Sequence, residues 1–110
     1  MKGDHIGEFE ELVLLAAQGI GDEAYGVSVK QLLEREARRD VSLGAVYAAL
    51  DRLEGKGLLR SVTTEGSPVR GGRRRRTYAP TPRGLRALHE MQRVRDRLWR
   101  VSARAASQRL

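Results

Sequence analysis

The segment Val41–Leu59, VSLGAVYAALDRLEGKGLL, decides the fold, because it predicts a helix with a defined start, a defined end and two unlike faces. The hydroxyl of Ser42 is suited to cap the first turn, and the glycines of GKG are suited to end the helix. Apolar side chains recur at helical spacing along one side. This stripe comprises Val46, Ala49, Leu50 and Leu53. We therefore predict a helix over about 42–56 that packs one side against a core.

The other side of this helix carries unusually small side chains. Its centre and flanks are formed by Gly44, Ala48, Asp51 and Gly55, with Ala45 and Tyr47 beside them. A solvated helix face usually bears long charged residues, so small ones indicate that something approaches the backbone closely. The alternative is an alanine-rich helix with good intrinsic propensity and no further meaning.

Two further helices are predicted before this segment. The first carries one apolar stripe and ends at the glycines of GIGD. Its stripe comprises Phe9, Leu12, Val13, Ala16 and Ile20. Leu14 and Leu15 widen that stripe toward a different side, which favours contact with a second surface such as a partner subunit. The second helix is expected over about 25–37, with arginines in its last turn.

After the central segment, the pattern changes to that of a β-hairpin. LLRSVTT predicts one strand, EGSPVRGG a turn and RRRRTYAPT a returning strand. The hairpin would form a basic wing over about 64–76 that includes Arg70 and the run Arg73–Arg76. Alternate residues of a strand face opposite ways, so Arg73 and Arg75 would point away from Arg74 and Arg76. We expect Arg70 and Arg73, at the tip, to reach furthest, although a solvated basic patch is the alternative.

A long helix is predicted from Thr81 and Pro82 nearly to the C-terminus, since a hydroxyl cap followed by proline favours a helix start. It carries a seam with alternating spacings of three and four, which is typical of helices that pack against a second copy. The seam is formed by Met91, Val94, Leu98, Val101 and Ala105, with Trp99 beside it. The alternative is that this helix folds back over the first helix of the same chain.

Length and charge narrow the function classes. A chain of 110 residues fits one compact domain with an appended helix, and it contains no cysteine. Residues 1–59 hold seven Lys/Arg and eleven Asp/Glu, whereas residues 60–110 hold fourteen and three. A basic half favours a polyanion, with nucleic acid ahead of an anionic membrane surface. The apolar run Leu12–Ala17 is too short to span a bilayer, so a cytoplasmic protein without a membrane partner is expected.

Motifs for catalysis are missing from the sequence. It lacks a nucleophile elbow, a phosphate loop with its lysine, and a cluster of cysteine and histidine; His5 and His89 lie far apart. We therefore expect no enzymatic activity, no cofactor and no metal.

The order of elements predicts a winged helix-turn-helix, a mainly α fold with a small β-hairpin (α+β). We expect a DNA-binding domain over 1–80 and a C-terminal dimerisation helix over 81–110. In this fold the third helix enters the major groove. Gly44, Ala45 and Ala48 would let the backbone sit deep and touch a thymine methyl. Ser42 and the amides at the helix start would bind phosphate, and Tyr47 would reach the DNA backbone from the flank.

The chain resembles the PadR-like transcriptional regulators over roughly 6–88. The resemblance rests on GEFEELVLLAA, EAYGVSVKQLLE, VSLGAVYAALDRLEGKGLL and RRRRTYAPTPRG in this order. It implies a homodimer that binds an inverted-repeat operator, usually as a repressor and often released by a small molecule near the dimer interface. Tyr47 matches the family tyrosine associated with DNA contact, and the basic residues before Tyr78 match the wing. The single C-terminal helix places the chain with the short members.

Two other functions remain open at this point. One is a nonspecific nucleic-acid binder of ribosomal or nucleoid type. The other is a winged-helix module that binds protein, with the arginines forming a solvated or membrane-facing patch.

Overall fold

A computed structural model describes residues 6–64 and 75–109. Its elements follow the predicted order, and the winged-helix architecture is confirmed. They are α1 (Glu8–Ile20), α2 (Gly26–Glu36), α3 (Leu43–Gly55), β1 (Leu59–Thr64), β2 (Arg75–Pro80) and α4 (Pro82–Arg109). Within these ranges, no helix is both long and apolar enough to cross a membrane.

The start and end of α3 are determined by local contacts. The amide of Ala45 donates a hydrogen bond to the Ser42 hydroxyl oxygen at 3.0 Å, which is the predicted cap. At the other end, Gly57 adopts a φ of +76°, a conformation that glycine reaches without strain. The amide of Leu58 then donates to the carbonyl of Leu53 at 2.9 Å, and the chain turns directly into β1.

The core lies where α1 meets α2, α3, α4 and β2. Its largest fully buried side chains are Leu14, Leu50, Leu53, Leu58, Leu59, Val13, Val29 and Val46. The expectation that Leu14 and Leu15 both face a second surface is therefore wrong for Leu14. Because α1 is covered on several sides, its buried stripe is wide enough to include Leu14, whereas Leu15 stays 52% exposed.

The two strands pair antiparallel, from Leu59 opposite Pro80 to Thr64 opposite Arg75. Tyr78 lies on the inner face of this hairpin and is buried. Its amide donates a hydrogen bond to the carbonyl of Ala24 at 2.8 Å. The loop between α1 and α2 therefore holds the base of the hairpin against the helices.

Helix α4 begins at the predicted cap. The amide of Gly84 donates to the Thr81 hydroxyl oxygen at 3.0 Å, and that hydroxyl donates to the carbonyl of Gly57 at 2.7 Å. Gly84 packs on Leu58 so closely that a Cβ would lie 2.1 Å from the Leu58 carbonyl oxygen. Beyond Met91 the helix is exposed as far as Arg104. It does not fold back along α1 over its length.

Candidate nucleic-acid interface

The side of α3 that faces away from the core is open to solvent. We call it the recognition face, and it consists of Gly44, Ala45, Tyr47, Ala48, Asp51 and Gly55, all of them exposed. A Cβ added at Gly44 would have no other atom within 4 Å. The predicted smooth face thus exists as a continuous surface along the helix. Ser42, which caps α3, is also exposed at its N-terminal end.

Tyr47 is held at the edge of the recognition face by α2. Its ring lies over Gly26, where a Cβ would be 2.4 Å from the ring carbon Cζ. The side chain nevertheless remains 40% exposed. Gly26 therefore leaves the space that Tyr47 occupies, a role that sequence reasoning missed. The Tyr25-Gly26 pair at the start of α2 is the sequence feature that could have indicated this role.

The two arginines that begin β2 contact different partners. The guanidinium of Arg75 lies 4.1 Å from the ring centroid of Tyr25, and its Nη1 lies 3.3 Å from a carboxylate oxygen of Glu23. Arg76 interacts instead with the side chain of Tyr78. These two arginines are therefore engaged within the chain at the base of the wing. Arg70, Arg73 and Arg74 lie outside the described residues.

Arg76 also lies near acidic groups of α3. A hydrogen bond with the Tyr78 side chain, followed by the charges of Tyr78, Glu54 and Asp51, raises the pKa of Arg76 above its ordinary value. Burial raises the pKa of Tyr78, and the contact with Arg76 opposes that effect only in part. Glu54 is itself held by the Ser61 hydroxyl, which donates to it at 2.6 Å. Polar contacts of Arg76 and Ser61 thus join the hairpin to the C-terminal half of α3.

Glu10 on α1 holds the C-terminal half of α3. Its carboxylate accepts hydrogen bonds from Arg52 Nε at 2.7 Å and from Lys56 Nζ at 2.8 Å, while the residue is only 8% exposed. Burial alone would raise the pKa of Glu10, but the hydrogen bonds and charges of Lys56 and Arg52 outweigh it and lower the pKa. Arg52, beside the recognition face, is therefore directed toward α1.

The neighbouring carboxylates of α1 contact other parts of the chain. Glu8 binds Arg39 in the segment before α3 at 2.7 Å. Glu11 binds Arg95 on α4. Together with Glu10, they link the first turn of α1 to α3, to α4 and to the segment before α3. No sequence pattern indicates these pairs, because their members are separated by 31 to 84 residues.

The residues predicted for a dimer interface are mostly exposed. Fractional exposure is largest at Trp99 and Leu98, at 73% and 63%. Val94 and Val101 are exposed as well, whereas Met91 and Ala105 are partly buried. Leu15 borders an apolar groove of about 360 Å³ between α1 and α2. The other lining residues are Leu12, Ala16, Leu32, Leu33, Glu36 and Ala37.

Over residues 6–64 and 75–109, no group of three or more histidine, cysteine, aspartate or glutamate side chains could hold a metal ion. His89, which lies in this part, is exposed on α4.

The sequence matches the model of the transcriptional regulator PadR-like family over residues 13–90. The chain belongs to this family. It is 42% identical over 79 residues to the transcriptional regulator Rv3488 of Mycobacterium tuberculosis, covering 72% of this chain and 69% of the relative. The resemblance inferred from the motifs is therefore confirmed.

Solved structures of similar shape include a PadR-like transcription factor from Bacteroides fragilis, with a TM-score of 0.74 and 27% identity. That match covers 88% of each chain. Bacillus subtilis PadR, solved in complex with operator DNA, has a TM-score of 0.63 at 17% identity. It covers 77% of this chain and 46% of that one, and at this identity it shows the fold alone.

Family membership agrees with the expected absence of catalysis, because PadR-like proteins are transcriptional regulators and not enzymes. The motifs behind the resemblance now have physical explanations in this PadR-like regulator. Gly26 makes room for the Tyr47 ring, and Gly84 lets α4 pack against the Leu58 carbonyl. Tyr78 anchors the hairpin from its buried position.

Proposed function

We propose that this PadR-like regulator binds an inverted-repeat operator in duplex DNA as a homodimer and represses transcription there. The observation that carries the proposal is the recognition face of α3, which is exposed and lined by small side chains beside a hairpin that begins its second strand with arginines. A major groove accepts an α-helix, and small side chains let the helix backbone lie deep in it.

The residues in and before the first half of α3 then have separate tasks. Gly44, Ala45 and Ala48 allow close approach and give apolar contact with thymine methyl groups. Ser42 and the amides at the start of α3 bind a phosphate, because the N-terminus of a helix offers unpaired donors and positive potential. Tyr47, positioned by Gly26, reaches the DNA backbone from the flank.

The basic wing supplies electrostatic attraction. Residues 60–110 hold fourteen Lys/Arg against three Asp/Glu, and the wing places Arg70 and Arg73–Arg76 near the phosphates on this proposal. Each phosphate that is neutralised releases condensed counterions, which favours binding at low salt. Arg75 and Arg76 are already paired within the chain, so we assign most of the phosphate contact to Arg70, Arg73 and Arg74.

Dimerisation would use α4, the 28-residue helix whose distal half projects from the domain. Leu98, Trp99 and Val101 are more than half exposed on it, which is unfavourable in water unless a partner covers them. On this proposal Leu15 and the apolar groove beside it contribute a second apolar patch, on α1 and α2. On this proposal residues 1–80 bind DNA and 81–110 join two copies, and the regulator acts in the cytoplasm.

The solved complex of Bacillus subtilis PadR with operator DNA supports the proposal, because that protein shares the fold of this chain. Family resemblance further implies release by a small molecule near the dimer interface. Trp99, exposed on α4, would pack in that interface or, alternatively, line a site for such a molecule.

Selection of bound duplexes from a random pool tests the proposal directly. We expect an inverted repeat whose binding survives excess unrelated duplex. A nonspecific nucleic-acid binder would recover no consensus and would bind all duplexes alike. A protein-interaction module would retain no DNA above background at physiological salt. Either of these results would overturn the proposal.

A further inference from the structure

One carboxylate lies on the midline of the recognition face. Asp51 follows Gly44 by seven residues and Ala48 by three, so the three positions share one line along α3. All three are exposed. Seven residues of helix span ~10 Å, so the line from Gly44 to Asp51 extends along several base pairs of a groove.

The neighbours of Asp51 on α3 are already engaged. Arg52 donates to Glu10 at 2.7 Å, and Glu54 accepts from Ser61 at 2.6 Å. Within the described residues, Asp51 accepts no hydrogen bond, and the charge that acts on it is that of Arg76 on β2, which itself hydrogen-bonds Tyr78. The carboxylate oxygens of Asp51 can therefore accept from an incoming donor.

A carboxylate directed into a DNA groove is unfavourable by itself, because two rows of phosphates surround it. A base donor has to offset that repulsion. In the major groove, guanine and thymine present acceptors to the carboxylate, and adenine presents its N7 acceptor beside its amino group. Cytosine presents the N4 amino donor and no neighbouring acceptor, so it is the base that a carboxylate matches.

We propose that Asp51 is a specificity-determining residue that accepts a hydrogen bond from the N4 amino group of a cytosine. The inference rests on the proposed binding of an operator by α3. In a two-fold symmetric complex, the cytosine would occur at the same distance from the centre in both half-sites.

The test is parallel selection from one random pool with the wild type, Asp51→Asn and Asp51→Ala. Asp96→Asn serves as the control, because it removes the same charge from an exposed position on α4. We expect the wild type and the control to recover cytosine at one fixed position in each half-site. Asp51→Ala should lose roughly tenfold in discrimination there, and Asp51→Asn should shift the preference to adenine, whose N6 and N7 pair with an amide.

The outcomes separate this inference from the proposed function. If the wild type recovers no inverted repeat, operator binding fails and the role of Asp51 fails with it. An inverted repeat with the same base preference in every variant overturns the role of Asp51 alone. That role is likewise overturned if both variants bind all duplexes more tightly without a change in preference, since Asp51 would then only repel phosphates. Thermal unfolding of each variant verifies that the fold is intact.

Discussion

The ring of Tyr47 on α3 occupies the space directly above Gly26, the first residue of α2, with the hydroxyl oxygen 2.6 Å from where a Cβ would be. Gly26→Ala should therefore displace the ring. The ring is the end of a partly exposed side chain, so it can rotate away without unfolding the domain. Alanine also leaves the unfolded chain less conformational freedom than glycine does, which offsets part of the cost.

We expect Gly26→Ala to change the free energy of unfolding little and to weaken DNA binding as much as Tyr47→Ala does. Calorimetry and fluorescence anisotropy with the selected duplex measure the two effects. Tyr47→Phe is the matched control, because it removes the hydroxyl and leaves the ring in place. Normal binding by Gly26→Ala, with loss of binding by Tyr47→Ala, would show that Gly26 does not position the ring.

Gly84→Ala should behave in the opposite way. Here the added Cβ would lie 2.1 Å from the backbone carbonyl oxygen of Leu58. Because the clash is with backbone atoms, no side-chain rotation can relieve it, and α4 has to shift. We expect a loss of about 2–3 kcal/mol in the free energy of unfolding, as for an overpacked core.

Gly44→Ala is the control for that measurement. No atom lies within 4 Å of its added Cβ, so the substitution should leave stability unchanged or raise it by up to about 1 kcal/mol. Equal stability of the Gly84 and Gly44 variants in chemical denaturation would contradict the close approach of α4. A bulky residue at Gly44 should instead abolish operator binding while the protein stays folded.

The sequence predicts features that depend on neighbouring residues, but not those that depend on contacts between distant elements. Helix caps depend on residues that are close in the chain, so the sequence could identify Ser42 and Thr81 as helix starts. The small residues on one side of α3 could likewise be recognised from their spacing. The burial of Leu14 depends on how many elements cover α1, which no periodicity within α1 reveals. The contact of Glu10 with Arg52 and Lys56 likewise joins residues more than forty positions apart.

Glu10 should make stability depend on pH in the acidic range. Its pKa is lowered in the folded chain, because the pairing with Lys56 and Arg52 outweighs the effect of burial. A group with a lowered folded-state pKa binds more protons when unfolded. Its contribution is therefore fully present above the ordinary glutamate pKa of 4.5 and is lost as pH falls through the folded-state value.

Glu10→Gln should lower the free energy of unfolding by about 1–3 kcal/mol near neutral pH, since two charge-assisted hydrogen bonds are weakened. The difference in melting temperature between the two proteins should shrink as pH falls below 4.5. Glu8→Gln, at an exposed pair with Arg39, is the control and should change stability by less than about 1 kcal/mol. A pH-independent difference would contradict the role of the Glu10 charge.

Leu98→Glu should dissociate the proposed homodimer. Leu98 is 63% exposed in one chain, and a charge there would be buried without a partner if α4 packs against a second copy. Light scattering at matched concentrations gives the mass of each species. Ser107→Glu adds the same charge at an exposed position on the opposite side of the same helix and should leave the dimer intact. A dimer that persists in Leu98→Glu would place the interface elsewhere.

The arginine run should divide into two functional parts. Arg75 lies over Tyr25 beside Glu23, and Arg76 interacts with Tyr78 near Glu54, so both charges are partly satisfied within the chain. Alanine at Arg73 and Arg74 should then lower affinity for every duplex and reduce the slope of log affinity against log salt by about 0.9 for each lost phosphate contact. The double variant Arg75→Ala/Arg76→Ala should change that slope less and should lower the melting temperature instead, because it detaches the base of the hairpin.

Anisotropy titrations at several salt concentrations, with selected and unrelated duplexes, measure the slopes. If both pairs reduce the slope equally, Arg75 and Arg76 exchange their internal partners for phosphates when DNA binds, and the whole run is electrostatic contact surface.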